Sequence, residues 1–316
     1  MSTSSNSVGQ ITSSPQWLEE NWRFFQMRWQ GRLGKRTEIA KLRDELHLYG
    51  ELYESITGRS FRNARIFEVG YGARPLRLMM LVSMQLDASG IDLDQPTLNF
   101  DAAELRQTLR RNGFRRLLKT AVRSLLFDGH ERSVMEALLA EEGHRLRIDP
   151  QRFRVGDVSH CELDTESLDL VYSEDVFEHI PGENIDTICA TLARALRPGG
   201  LALISPLVHT SIQGGHLVEW YGVGQDTRSR RRSEPWEHLR KKRYQADCYL
   251  NEWRLNDYRS AFSRHFDIVS VHSLLPDLGK AWLNDAVRAE LHAYDPEELL
   301  GSKWRFVLRK PTGAST

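Results

Sequence analysis

Four short stretches of the chain hold residues of the right types and spacing for chemistry. The first is Glu68-Val69-Gly70-Tyr71-Gly72-Ala73-Arg74-Pro75. Glycines in a strand-to-helix turn let a ligand approach bare backbone, and amides at a helix start receive an anionic group. The third glycine of a dinucleotide fingerprint is absent, because Arg74 and Pro75 occupy that neighbourhood. Glu68, two positions before the first glycine, instead suits a ligand with a cationic group. The second stretch is Gly90-Ile91-Asp92-Leu93-Asp94. Its Asp92 follows the glycine turn by about 20 residues, where a carboxylate holds a ribose diol. The third, Gly156-Asp157-Val158, sets a carboxylate at a strand end, able to accept an amino-group proton. The fourth runs Leu168-Asp169-Leu170-Val171-Tyr172-Ser173-Glu174-Asp175-Val176-Phe177-Glu178-His179-Ile180, with Leu196-Arg197-Pro198-Gly199-Gly200 after it.

The elements that position these residues alternate. ARIFEVG reads as a strand, PLRLMMLVSMQ as a helix with Pro75 near its first turn, and DASGIDL as a second strand. FRVGDV and LDLVYSE read as further strands. The helix NIDTICATLARAL, the turn RPGG and the strand LALISPL come next. A helix (NEWRLNDYRSAFSRH), the strand FDIVSVHSL, a short helical piece near Trp282 and the strand KWRFVLRK complete the pattern. Strands separated by helices build a parallel sheet with helices on both faces. Residues 97–147 interrupt this rhythm with helical periodicity and form an inserted block. Residues 16–60, with Trp17, Trp22 and Trp29 on one stripe, read as a helical cap of two or three helices broken near Gly31 and Gly34. Residues 1–15 form a Ser/Thr-rich tail. The main domain is therefore expected at 61–310, with a substrate loop region at 207–247.

Composition narrows the class. The 316 residues carry 43 Lys plus Arg against 43 Asp plus Glu, a formal charge of zero that argues against nucleic-acid binding by bulk charge. Charged residues at 27% and hydrophobic ones at 40% describe a globular chain, and no apolar run is long enough for a membrane span. Cys161, Cys189 and Cys248 form neither a disulfide framework nor a zinc motif. The N-terminus lacks a secretion signal, so a cytoplasmic protein with reduced thiols is expected.

Taken in order, the four stretches resemble the class I S-adenosylmethionine-dependent methyltransferases. EVGYGARP is similar to the family's first motif, GIDLD to its second and GDV to its third. LDLVYSEDVFEHI and LRPGG are similar to its later ones. The resemblance covers about residues 65–206. It implies an α/β fold: a seven-stranded, mostly parallel Rossmann-like sheet ending in an antiparallel hairpin, here with an N-terminal helical cap and a helical insertion. It also implies S-adenosyl-L-methionine as cofactor. Glu68, Gly70 and Gly72 would surround its methionine end, Asp92 would bind the ribose hydroxyls and Leu93 would lie against the adenine. Asp157 and Val158 would contact the adenine edge, and Ser173 would lie beside the reacting centre. Arg74 departs from the family pattern and could block the turn, and the 97–147 block is longer than the usual connection.

Displacement at a sulfonium methyl needs in-line positioning and no metal, and no metal ligands are assigned. Orientation of this kind accounts for roughly 7–11 kcal/mol of barrier lowering. An alcohol acceptor also needs a base, for which His216 and His209, in the loop after the fifth strand, are the candidates. His179 and His238 are lesser ones. The basic run Arg228–Arg243, interleaved with Trp236 and Tyr244, reads either as a solvated loop or as a surface for an anionic or glycan-like acceptor, with Trp236 as a stacking platform. The expected function is methyl transfer to a small or medium-sized acceptor, at oxygen. An RNA- or nucleotide-directed methyltransferase and a non-catalytic cofactor-binding protein are the alternatives.

Overall fold

The computed structural model describes residues 22, 35–99, 101–221, 233–244, 246 and 248–313. The Ser/Thr-rich tail, the Trp17/Trp29 part of the cap and residues 228–232 of the basic run lie outside them.

Seven strands form one sheet: β1 (Arg65–Val69), β2 (Asp87–Asp92), β3 (Phe153–Val155), β4 (Leu168–Glu174), β5 (Leu196–Ser205), β6 (Asp267–Ser273) and β7 (Trp304–Arg309). Their order is β3-β2-β1-β4-β5-β7-β6. The first five pair in parallel, while β7 runs antiparallel to both β5 and β6. The central strands are buried on both faces, and β4 is buried along its whole length, its polar Asp169, Ser173 and Glu174 included.

Side chains that alternate along each strand supply two cores. On one face, Phe67, Val171, Ala202 and Ile204 pack with Ile185, Ile188 and Leu192 of α5 (Gly182–Ala195) and Tyr258 and Phe262 of α7 (Leu255–Phe262). On the other, Ile66, Leu170, Tyr172 and Leu203 pack with three helices. These are α1 (Lys35–Thr57), α2 (Leu76–Ser83) and α4 (Gly129–Glu141). The helix α1 is thus a layer of the main core, contributing Leu46, Tyr49 and Tyr53. A third cluster joins the loop after β5 to the C-terminal region, with Trp220, Trp236, Leu283 and Leu299 at its centre. Short α6 (Glu237–Arg240), α8 (Asp285–Glu290) and α9 (Pro296–Leu300) frame it.

The inserted block comprises α3 (Ala102–Arg123), bent where Gly113 takes φ 78°, a π turn at Ser124–Asp128, and α4. It leaves Leu109, Phe114, Leu118, Val122 and Leu126 exposed. No helix among the described residues is long and apolar enough to cross a membrane. One boundary differs from expectation. The RPGG stretch lies inside β5, because a register shift between Leu168 and Leu170 of β4 accommodates it as a bulge.

A buried polar network ties these layers together. Arg305 of β7, 1% exposed, bonds Glu45 of α1 at 2.8 Å and Glu174 of β4 at 3.2 Å. Its guanidinium also lies 4.9 Å from the Tyr49 ring centre, and Tyr49 donates to Glu174. Ser205 donates to the same carboxylate at 2.9 Å, and Lys303 meets its other oxygen at 2.7 Å. Removing one member of a buried charge set leaves the others uncompensated. Arg305→Met is therefore expected to destabilise the fold by about 3–5 kcal/mol. A urea midpoint equal to the parent's would show that the network contributes little.

Candidate functional site

The carboxyl ends of β1, β2 and β4 converge on one crevice. β1 ends on Val69, and its Glu68 side chain is buried beside Tyr172 of β4, the residue opposite it in the register. Burial raises the Glu68 carboxyl to about 7, opposed by the Arg77 guanidinium, and its Oε2 has no hydrogen-bond partner. The backbone then turns through Gly70 and Gly72, at φ 80° and 70°. Only glycine adopts such angles cheaply.

The two glycines differ in what they face. A Cβ on Gly70 would run into the Val176 side chain, whereas a Cβ on Gly72 would meet nothing within 4 Å. Gly72 is therefore the open position of the turn, and Gly70 allows Val176 to close over it. The Gly72 amide donates to Asp92 Oδ2 at 2.7 Å, while Asp92 Oδ1 accepts the Asp94 amide at 2.7 Å. Asp92 is thus locked at the tip of β2 against the glycine turn. Leu93 beside it is 70% exposed, an apolar side chain held in the open next to a carboxylate.

Arg74 does not block the turn. Its guanidinium reaches sideways to the buried Glu131 carboxylate of α4, at 2.7 and 2.8 Å. The insertion thus draws the arginine out of the crevice. Asp157 caps the turn after β3, accepting from the Ser159 amide at 2.8 Å and hydroxyl at 2.7 Å, and Val158 is buried in the core beneath. Although partial burial raises the Asp157 carboxyl, the Ser159 bonds and nearby His160 hold it below its ordinary range. Ser173 is buried and donates to the Val69 carbonyl at 2.9 Å, clipping β4 to β1 under the turn.

The loops after β4 and β5 bring a second group together. Glu178 and His179 lie on the short turn after β4, and His216 comes from the loop after β5. One ligand atom of each lies within 4.8 Å of the other two. Glu178 is 2% exposed, and neither carboxylate oxygen has a partner. Burial, with Asp175 nearby, raises it to about 8. The His216 ring lies 4.9 Å from that of His179 and 6.0 Å from Tyr221, and its buried Nε2 has no partner. Burial and the neighbouring histidines lower His216 to about 3, so it is neutral in ordinary buffers. Sequence reasoning passed over Glu178. Its signal was an acid directly preceding a histidine, Glu178-His179, at a strand's carboxyl end.

His209 and His238 form a separate pair, with rings 4.9 Å apart. His238 is buried and bonds the His209 carbonyl through Nε2 at 2.8 Å, a contact that holds the loop's shape. His209 keeps a buried Nδ1 without a partner, and burial lowers its proton affinity. Trp236 corrects an expectation. It is fully buried in the third core cluster, so it offers no stacking platform. Arg240 pairs with Glu290, and Arg243 with Glu237 at 2.6 Å, so these charges are already engaged within the protein.

Residues 114–204 match the methyltransferase domain family. Several solved structures are similar at low identity. An S-adenosylmethionine-dependent methyltransferase from Mesorhizobium loti is 16% identical over 80% of this chain and 94% of its own, with a TM-score of 0.42. One from Methanosarcina mazei is 12% identical over 79% and 93%, at 0.42. The geranyl diphosphate C-methyltransferase of Streptomyces coelicolor A3(2) is 14% identical over 84% and 76%, at 0.39. No curated protein matches the chain significantly. The family match supports an S-adenosylmethionine-dependent methyltransferase, and the mixed seven-stranded sheet is the fold that such a protein is expected to have.

The two glycines are separable by substitution. Gly72→Ala meets only the left-handed backbone penalty, about 1–2 kcal/mol. Gly70→Ala adds overpacking against Val176, a further 1–3 kcal/mol or so. Thermal unfolding of both variants checks this order, and equal losses would show that Val176 moves aside freely.

Proposed function

We propose that the chain transfers the methyl group of S-adenosylmethionine to an oxygen of a small or medium-sized acceptor held over the carboxyl ends of β4 and β5. The observation that carries this reading is the facing of buried polar groups without partners, the neutral His216 ring and the Glu178 carboxyl, where β4 and β5 end. A hydroxyl or carboxyl acceptor would find partners there. An amine acceptor would find no aromatic and carbonyl cage among the described residues.

The crevice residues fit the cofactor. Glu68, whose buried Oε2 lacks a partner, would receive the amino group of the methionine arm. The open turn at Gly72 would admit that arm, while Gly70 shapes it. Asp92 would hold the ribose hydroxyls, Leu93 would cover an adenine face, and Asp157 and Val158 would border the adenine edge. Ser173, under the turn, would keep β1 and β4 in register below the reacting centre. When bound, the cofactor supplies a sulfonium methyl for in-line displacement. The chain's own task is to orient the acceptor oxygen, exclude water and take the acceptor's proton, with His216 or His209 as the acceptor of that proton. An anionic or glycan-like acceptor would have to engage groups other than Trp236, Arg240 and Arg243.

Two measurements test this. At pH 7 the raised Glu68 carboxyl is about half protonated. An incoming ammonium would push its pKa down, so binding S-adenosylhomocysteine is expected to release roughly half a proton. By the same linkage, affinity should rise with pH from about 5.5 to 7.5. Glu68→Gln is expected to abolish both effects, as read by calorimetry in buffers of different ionisation enthalpy. Unchanged proton release in that variant would remove Glu68 from the cofactor site.

For the acceptor, a panel of alcohols, phenols, carboxylic acids and RNA is incubated with methyl-labelled cofactor. Label is expected on an oxygen acceptor. His216→Asn is expected to lower turnover about 10²- to 10⁴-fold while sparing S-adenosylhomocysteine affinity. Label in RNA, or cofactor binding without any transfer, would overturn the oxygen reading.

A further inference from the structure

The group formed by Glu178, His179 and His216 has a feature that the methyl-transfer reading does not require: two of its three members keep buried polar atoms with no hydrogen-bond partner. His179 Nδ1 lies 2.9 Å from the Tyr249 carbonyl, an acceptor only, so Nδ1 carries the ring proton and Nε2 is left as a lone pair. His216 Nε2 is buried without a partner, and so are both oxygens of Glu178, a side chain 98% buried by its 2% exposure. One ligand atom from each residue lies within 4.8 Å of the others. A proton on Glu178 can join one such pair, whereas a divalent cation would engage all three residues at once. The Tyr249 carbonyl contact is also the support that metal-ligating histidines ordinarily have, since it fixes the tautomer and the ring's direction.

We infer that Glu178, His179 and His216 form a site for one divalent transition-metal ion. Two imidazoles and one carboxylate suit borderline ions such as Zn²⁺, Fe²⁺ or Co²⁺ rather than Mg²⁺ or Ca²⁺. Metal–ligand bonds there are about 2.0–2.2 Å, and small ring rotations close the apo spacing onto them. Lys303, a cation that acts on Glu178, is held by the carboxylates of Glu174 and Asp175, at 2.7 Å each, which offsets its charge. Three protein ligands leave a coordination position open. Resting on the oxygen-acceptor reading above, that position would take the acceptor oxygen and lower its pKa; His216 would then serve as a ligand, leaving His209 as the proton acceptor of that reading.

The test uses the untagged full chain, stripped with a chelator and titrated with Zn²⁺ by calorimetry and with Co²⁺ by visible absorption. One ion per chain is expected, with Co²⁺ d–d bands of a site of low coordination number. His216→Ala and His179→Ala are each expected to weaken binding at least 100-fold and remove those bands, with circular dichroism unchanged. Glu178→Gln should act likewise, and the two histidine variants keep the test decisive if it fails to fold. No binding at micromolar ion, or binding equal in parent and folded histidine variants, overturns the site. S-adenosylhomocysteine calorimetry on the same samples separates the readings. Metal bound without cofactor would sink the function and spare the site, and cofactor bound without metal would do the reverse.

Discussion

The buried carboxylate of Glu174 is the fixed point around which the crevice is arranged. Burial alone would push its pKa up. Lys303, Arg77 and Arg305 outweigh that effect and hold it below its ordinary range, so it stays ionised inside the protein. The cost of burying these charges is offset only while every partner is in place. Those partners come from distant parts of the chain: Tyr49 from α1, Ser205 from β5, Lys303 just before β7 and Arg305 within it. Satisfying one side chain therefore fixes how the first helix, the central strands and the terminal hairpin meet.

Two other carboxyls share that edge and are left differently. Glu68 feels Arg77 but no cation in direct contact, and Glu178 feels Lys303 only as a minor influence; burial dominates both. A carboxyl buried without a partner is costly, and it persists where the surrounding packing over-determines it. Glu174 and its ring of partners provide that rigidity. The edge thus holds one carboxylate committed to structure and two with unsatisfied oxygens, one toward the glycine turn and one toward the histidines. On the proposed function, this division would separate a site for a cationic arm from a site for the group that reacts with it.

The strands of this fold are legible because a doubly covered parallel sheet favours short, mostly apolar runs between helices, and LALISPL, with the β-branched and aromatic residues of ARIFEVG and LDLVYSE, supplies that pattern. The acid of GIDLD could be picked out because a short connection leaves it little freedom. Its Asp92 carboxylate does meet the Gly72 amide. What local reasoning could not see was set by tertiary contacts. Arg74 reads as an obstruction until Glu131, far along the chain, is seen to hold it. Trp236, set among basic residues, reads as exposed, yet the C-terminal elements bury it completely. The proline and glycines of RPGG read as a turn, and only the partner strand's register shows that they are a bulge. Glu178 stands among several acids of LDLVYSEDVFEHI, and nothing local reveals that its buried oxygens are left without a partner.

The acceptor side is built by the same kind of long-range packing. The loop after β5 is shaped by His238 against the His209 carbonyl and by Gly215, where a side chain would collide with the His238 ring. Gln213, within that loop, accepts from the Ser302 hydroxyl and donates to the Trp220 carbonyl, so it ties the loop to the segment before β7. Only with those contacts formed does His216, at φ 51°, reach His179 across the gap between strand ends. That backbone angle is unfavourable for a histidine, and such strain is retained where packing or function requires the side chain's direction. The cofactor half of the crevice follows from short-range turns, while the acceptor half depends on a loop folded against the far end of the chain. On the proposed function, changes in that C-terminal packing would therefore alter acceptor choice before they disturb the binding of the cofactor.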